Sequence, residues 1–312
     1  MQPMQKARAL RPGDTVGLAA PSGAVRDEGG VERAIEAVEA LGFRAIADAS
    51  CFRRYGYLSG TDGERAEGLN RMFRDDRVDA VFCLRGGYGA TRMLDRVDFE
   101  LIRSNPKPFL GYSDVTALHA AINGLSGLIT LHGPMPATDF PGFEGFSRAS
   151  VLRALTDPAP LGEVKNPDGM PLSRLVPGRC EGRLAGGNLS LVAALIGTPW
   201  QIDARGKILL LEDVDEFTYR LDGMLTQLRH AGLFRDCAGV VLGGFTDCSD
   251  EYEGFGMAIE ALVRDIVAPS GKPVLAGFSI GHVEQKITVP LGAMCALDAD
   301  NLRLTVLEGA LA

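Results

Sequence analysis

Apolar residues along the chain fall into two rhythms. From Thr15 to about Leu155, short apolar runs (Thr15–Ala20, Ala45–Ala47, Ala80–Leu84, Pro108–Gly111 and Leu128–Leu131) alternate with amphipathic stretches at Val31–Leu41, Asp62–Arg74, Ala90–Asp95 and Val115–Asn123. Short runs closed by Gly, Ser or Pro read as buried strands, and the longer 3.6-periodic stretches as helices. Their alternation predicts a mostly parallel sheet with helices on both faces, in which ligands collect at the carboxyl ends of the strands. Between Thr156 and Arg179 the pattern breaks into proline and charge, with Pro158, Pro160, Pro167, Pro171 and Pro177, which predicts a linker. Beyond it, strands are predicted at Cys180–Leu184, Lys207–Glu212, Gly239–Gly243, Pro273–Phe278, Gln285–Pro290, Met294–Asp298 and Asn301–Val306, the last three as an antiparallel meander. Helices are expected near Leu189–Ile196, Arg220–Ala231 and Met257–Val267. The pattern thus divides the chain into an α/β domain over 1–155, a linker over 156–179 and a domain with a mixed sheet or small barrel over 180–312.

Composition narrows the function classes. Lys plus Arg number 32 against 40 Asp plus Glu, a net charge of −8 with no basic run, so nucleic acid is not an expected partner. No apolar stretch approaches the roughly 18 residues of a membrane helix, and the polar start through Lys6, Arg8 and Arg11 does not resemble a signal segment. The six cysteines show no C-x-x-C pair and no histidine at zinc-ligand spacing, so reduced thiols, no metal and a cytoplasmic location are expected. Glycine is abundant, at 39 residues, which favours a site built from loops.

The segment Pro108-Phe-Leu-Gly-Tyr-Ser113-Asp114 runs from a strand into a helix and would lift the Ser113 hydroxyl above the sheet, although Ser is also a preferred helix cap and position 115 is Val, not the Gly of a G-x-S-x-G turn. A serine nucleophile needs a histidine base and an acceptor that fixes its tautomer. Of four histidines, His119 falls on another face of the same helix and His230 closes a helix before Gly232; His132 and His282 both sit at strand ends and remain rivals. Glu212 ends the apolar run Ile208–Leu211 and suits the acceptor, with neighbouring Asp213, Asp215 and Glu216 as the alternative, a merely solvated strand end. Leu84-Arg-Gly-Gly-Tyr-Gly89 is a second strand-to-helix turn whose glycines let backbone N–H groups approach a ligand. Cys83 lies within an apolar strand, where a thiol is normally inert.

Arg85-Gly-Gly-Tyr-Gly89, Gly111-Tyr-Ser-Asp114, Gly186-Gly-Asn-Leu-Ser190 with Gly197-Thr-Pro199, Leu211-Glu-Asp213, and Gly281-His282 with Pro290-Leu-Gly292 together resemble the serine LD-carboxypeptidases, or muramoyltetrapeptide carboxypeptidases, and their relatives that confer self-immunity to microcin C. The resemblance runs collinearly over nearly the whole chain from Gly13-Asp-Thr-Val-Gly17. It implies an amino-terminal Rossmann-like or flavodoxin-like parallel sheet and a carboxyl-terminal β-rich swivelling domain. It also implies a triad of Ser113, Glu212 and His282, an oxyanion hole from the N–H groups of Gly87 and Asp114, and a structural role for His132. The expected reaction is release of terminal D-alanine from a murein tetrapeptide without a cofactor, by a chain expected to form a homodimer. Arg85 is the expected receptor of the substrate carboxylate, with bracing of its own loop as the alternative. A microcin C-type peptidyl-nucleotide hydrolase and a non-catalytic peptide-binding protein are the competing functions.

Overall fold

In the computed structural model, which describes residues 4–140, 145–249 and 256–312, the first apolar runs become parallel strands. They are β1 Thr15–Ala19, β2 Arg44–Ala47, β3 Ala80–Cys83, β4 Phe109–Gly111 and β5 Thr130–His132. Their order across the sheet is β2-β1-β3-β4-β5, so the winding direction reverses between β1 and β3, where doubly wound sheets open a crevice at their carboxyl ends. The helix Asp62–Arg74 begins as its sequence predicts: Glu64 N–H donates to the Thr61 hydroxyl at 3.3 Å, and Thr61 N–H donates to the Glu64 carboxylate at 2.9 Å.

The second sheet has eight strands. Along the chain these are β6 Gly162–Glu163, β7 Ser173–Val176, β8 Arg179–Asn188, β9 Ile208–Val214, β10 Gly239–Thr246, β11 Val274–Ala276, β13 Met294–Asp298 and β14 Arg303–Val306, while β12 Val289–Leu291 belongs to the first sheet. Its centre, β8-β9-β10-β11, is parallel, with helices Leu189–Ala194, Thr218–His230 and Ile259–Ile266 in the crossovers, while β13, β14, β6 and β7 add antiparallel edges. The fold is therefore mixed α/β, with a parallel-rich amino-terminal sheet and a β-rich carboxyl-terminal one.

Two segments differ from the pattern-based expectation. The proline-rich stretch 156–179 contributes β6 and β7, both at sheet edges, where Pro171 and Pro177 flank a strand without removing a ladder hydrogen bond. The run Gln285–Pro290 does not join a meander: β12 leaves the second half of the chain and pairs antiparallel with β5 of the first sheet, Pro290 opposite Leu131. Its apolar residues are fully buried there, and they close an edge that β5 would otherwise expose.

One apolar cluster runs from Leu18 and Phe82 through Leu118 to Leu184, Leu210 and Val241, joining the two sheets; a second packs Leu209, Leu211 and Val240 against Leu221, Leu225 and Val263. Successive strand residues point to opposite faces. On β9, Ile208 and Leu210 thus enter the shared core, and Glu212, at the same parity, faces the first sheet.

Candidate active site

Every residue expected to act lies at the carboxyl end of a strand. After the buried strand β4 the backbone passes through Tyr112 and places Ser113 at φ 63°, one of four non-glycine residues with positive φ among those described. A short 3-10 turn, Ser113–Val115, leads directly into the helix Thr116–Ala121. This left-handed serine is the strained elbow that projects a hydroxyl away from the sheet. The turn needs close neighbours without side chains. A Cβ at Gly111 would come 2.8 Å from Val115 Cγ1, and one at Gly86 would come 2.9 Å from Ser113 Oγ. The glycine turn after β3 therefore lies directly on the serine.

Buried polar groups hold these turns together. The Asp114 carboxylate accepts the Ser22 hydroxyl at 2.6 Å and the Ala90 N–H at 2.8 Å, tying the loops after β1, β3 and β4. Burial raises its pKa, and these hydrogen bonds oppose the rise. Arg65, with no solvent exposure, donates to the Pro21 and Gly89 carbonyls and pairs with Asp62 at 2.5 Å. Gly87 has φ +109°, and its N–H has no acceptor among the described residues. Asp114 N–H lies in a first helical turn, where no intrahelical carbonyl is in reach. The Arg85 guanidinium donates to the Ala24 carbonyl at 3.0 Å, makes no ion pair among the described residues, and keeps a buried Nε without a partner.

Glu212 and His282 meet directly. His282 Nδ1–H donates to Glu212 Oε2 at 2.7 Å and His282 N–H to the same oxygen at 3.2 Å. Since Nδ1 carries the proton, Nε2 keeps a lone pair. Space for the carboxylate comes from glycine: a Cβ at Gly281, φ +99°, would sit 2.2 Å from Glu212 Oε2, and one at Gly243 would sit 3.0 Å from Glu212 Cβ. Full burial alone would raise the Glu212 pKa, yet it is lowered because His132 and His282 favour the ionised form. The two contributions are unequal in geometry. His132 Nε2 stands 3.9 Å from Glu212 Oε1, beyond hydrogen-bond reach, so the stabilisation rests mainly on His282.

The Tyr112 ring, next in the chain to Ser113, has its centroid 4.8 Å from that of the His282 ring. Its hydroxyl donates to Asp139 at 3.1 Å, and Lys286 pairs with Asp139 at 3.0 Å. Among the described residues no hydrogen bond joins Ser113 to His282; the structure brings Glu212 onto His282, and the Tyr112 ring, one residue before the serine, packs against His282. The halves of the site are registered by Asn188 N–H, which donates to Thr116 Oγ1 at 3.0 Å, and by Gly187, where a Cβ would come 2.5 Å from the same oxygen.

The other polar residues take structural positions. Asp213, buried on the opposite face of β9, accepts Asn188 Nδ2 at 2.8 Å, Ser190 N–H at 2.9 Å and Ser190 Oγ at 2.7 Å. His119 is fully buried: Nε2–H donates to the Gly111 carbonyl at 2.8 Å and Nδ1 accepts from Thr130 at 2.8 Å, while burial pushes its pKa down to about 3. Burial also raises the Cys83 thiol far above its ordinary value, so it is no thiolate nucleophile. The roles of Arg65, Ser22 and Tyr112 are not readable in the sequence, since they depend on partners from other loops.

Residues 16–133 match the LD-carboxypeptidase N-terminal domain, and residues 181–297 match the LD-carboxypeptidase C-terminal domain. The chain belongs to the LD-carboxypeptidase family. It is 40% identical over 313 residues to a probable murein peptide carboxypeptidase of Bacillus subtilis, covering 98% of this chain and 97% of that protein. It is 33% identical to the murein tetrapeptide carboxypeptidase of Pseudomonas aeruginosa, covering 92% and 94%. Among solved structures, the apo inactive mutant of the microcin C7 self-immunity protein MccF superimposes with a TM-score of 0.91 at 26% identity, covering 98% and 99% of the chains. The muramoyltetrapeptide carboxypeptidase of Oxalobacter formigenes gives 0.80 at 28% identity, covering 95% and 98%. No helix among the described residues is long and apolar enough to cross a membrane.

Proposed function

We propose that this family member is a serine-type LD-carboxypeptidase that removes the terminal D-alanine from a murein tetrapeptide, cutting after the L-centre of the preceding diamino acid. The observation that carries the proposal is the 2.7 Å bond from His282 Nδ1 to a buried, ionised Glu212, beside a serine held at positive φ. Glu212 fixes the tautomer, so His282 Nε2 takes the proton as Ser113 Oγ attacks the scissile carbonyl. The N–H groups of Gly87 and Asp114 receive the developing oxyanion, stabilising charge where it forms. Collapse expels the D-alanine amine, which takes the proton from His282, and water then hydrolyses the acyl-serine with the same base. The names of the Bacillus and Pseudomonas relatives supply the substrate class. The unpaired cysteines suit a reducing cytoplasm, where such an activity would serve cell-wall recycling.

Two substrates separate the family's chemistries. The purified protein is expected to release D-alanine from free tetrapeptide and to leave an aminoacyl sulfamoyl nucleotide, the ligand class of the solved MccF complexes, intact; the opposite preference would assign it to the immunity branch. Arg85 is proposed to receive the substrate carboxylate with the N–H groups left over from its bond to Ala24. Arg85→Met should then lose activity on the tetrapeptide but change little on its carboxyl-terminal amide, and equal losses on both would mean that Arg85 only braces its loop.

A further inference from the structure

His132 is the one histidine whose two ring nitrogens are both buried without any hydrogen-bond partner, and the Glu212 oxygen facing it, Oε1, is likewise buried and unpartnered. Buried polar atoms are nearly always paired, and an imidazole serving only as packing would leave two of them at a cost. The ring is held in place by β5, whose last residue it is, between Gly111 of β4 and Val289 of β12. It borders Tyr112 at 5.8 Å and His119 at 6.2 Å, and neither ring offers its nitrogens an acceptor. What His132 does face is Oε1, with Nε2 at 3.9 Å. A movement of about 1 Å closes that gap to an ordinary N–H···O distance of about 2.9 Å.

We propose that His132 is a positioning residue for the triad: its Nε2–H donates to Glu212 Oε1 and fixes the plane of the carboxylate, so that Oε2 stays on His282 Nδ1 while the base takes up and returns its proton. Glu212 then sits between two imidazoles, one bound on Oε2 and one on Oε1. Without His132, Oε2 still holds two donors from His282, but no hydrogen bond among the described residues holds Oε1. The proposal rests on the Ser113–Glu212–His282 assignment and specifies what orients its acid.

The test compares His132→Phe, which keeps a flat ring and removes both nitrogens, with His132→Gln, whose amide places an N–H near the former Nε2. D-Alanine release and the downfield proton resonance of His282 Nδ1–H are measured on both and on the wild type. His132→Phe is expected to lower kcat roughly 10- to 100-fold, the scale of a misoriented catalytic group, with KM within about twofold, and to shift or broaden the Nδ1–H resonance. His132→Gln is expected to restore most of kcat and a wild-type resonance. Wild-type kcat and an unshifted resonance in His132→Phe would overturn the proposal, as would a loss in both variants that only follows their folded fraction. Should His132→Phe fail to fold, a shifted resonance in folded His132→Gln would also overturn it. His282→Ala runs as the control: activity surviving there would refute the triad itself, whereas an inactive His282→Ala beside a fully active His132→Phe would refute the role of His132 alone.

Discussion

A carboxylate with no solvent exposure persists at Glu212 because one oxygen accepts two hydrogen bonds from His282 and two glycines clear the space around it. Alternation along β9 decides which of the adjacent acids does this. Glu212 shares the parity of Ile208 and Leu210 toward the first sheet, and Asp213 turns to the other face. The apolar run ending in an acid was legible as a strand, although β9 continues to Val214 and the face each acid takes shows only in the structure. Arg65 and Ser22 were not legible, because they act on partners 24 to 92 residues away that only the tertiary fold brings close. Gly281→Ala should cut kcat more than about tenfold by forcing the carboxylate off His282 and straining a positive φ, read as D-alanine release by folded protein. Glu212 also links the site to stability. Its folded pKa is depressed below the ordinary 4.5, so its contribution is complete above that value and is lost as pH falls through the folded pKa, at up to about 1.4 kcal/mol per pH unit. In urea titrations below pH 4.5, Glu212→Gln should show a shallower fall in stability than the wild type. An equal slope would mean that Glu212 is not held ionised.

Short elements carry more of this fold than their sequences announce. β12 has three residues, yet it crosses from the second half of the chain to complete the first sheet. Local pattern could identify it as a strand but not choose its partner, because pairing between distant strands leaves no periodic trace. The stretch 156–179 misled for a different reason: prolines signal a break, and edge strands tolerate them. The elbow at Ser113 was legible as a strand-to-helix turn, whereas its positive φ, in a turn where Gly86 and Gly111 leave no room for a Cβ, shows only in the structure. Asp213 works at this level too, joining the end of β8, through Asn188, to the helix Leu189–Ala194, through Ser190. Asp213→Asn turns an acceptor into a donor against Ser190 N–H and should cost about 2–3 kcal/mol in denaturant unfolding while leaving kcat nearly unchanged. Unchanged stability, or a loss of kcat in fully folded protein, would place Asp213 in the reaction.

For the molecule as a whole, the proposed catalytic groups are divided between two sheets that share one apolar cluster, a crossing strand and the Thr116–Asn188 contact. Sheets built in this way should melt together. Calorimetry is expected to show a single transition with matching calorimetric and van't Hoff enthalpies, and two separable transitions would contradict the shared core. The same continuity explains how Glu212 and His282 from one half meet a serine turn from the other with glycine-sized clearances.

The central claim is that Ser113 attacks the scissile carbonyl with His282 as its base. Its most direct test is single-turnover release of D-alanine from the free tetrapeptide by wild type and Ser113→Ala, each shown by its melting temperature to be folded. Wild type should release the amino acid, and Ser113→Ala should bind the peptide while losing roughly 10³-fold or more in rate, as removal of a triad nucleophile does. Release by Ser113→Ala at near the wild-type rate would contradict the account.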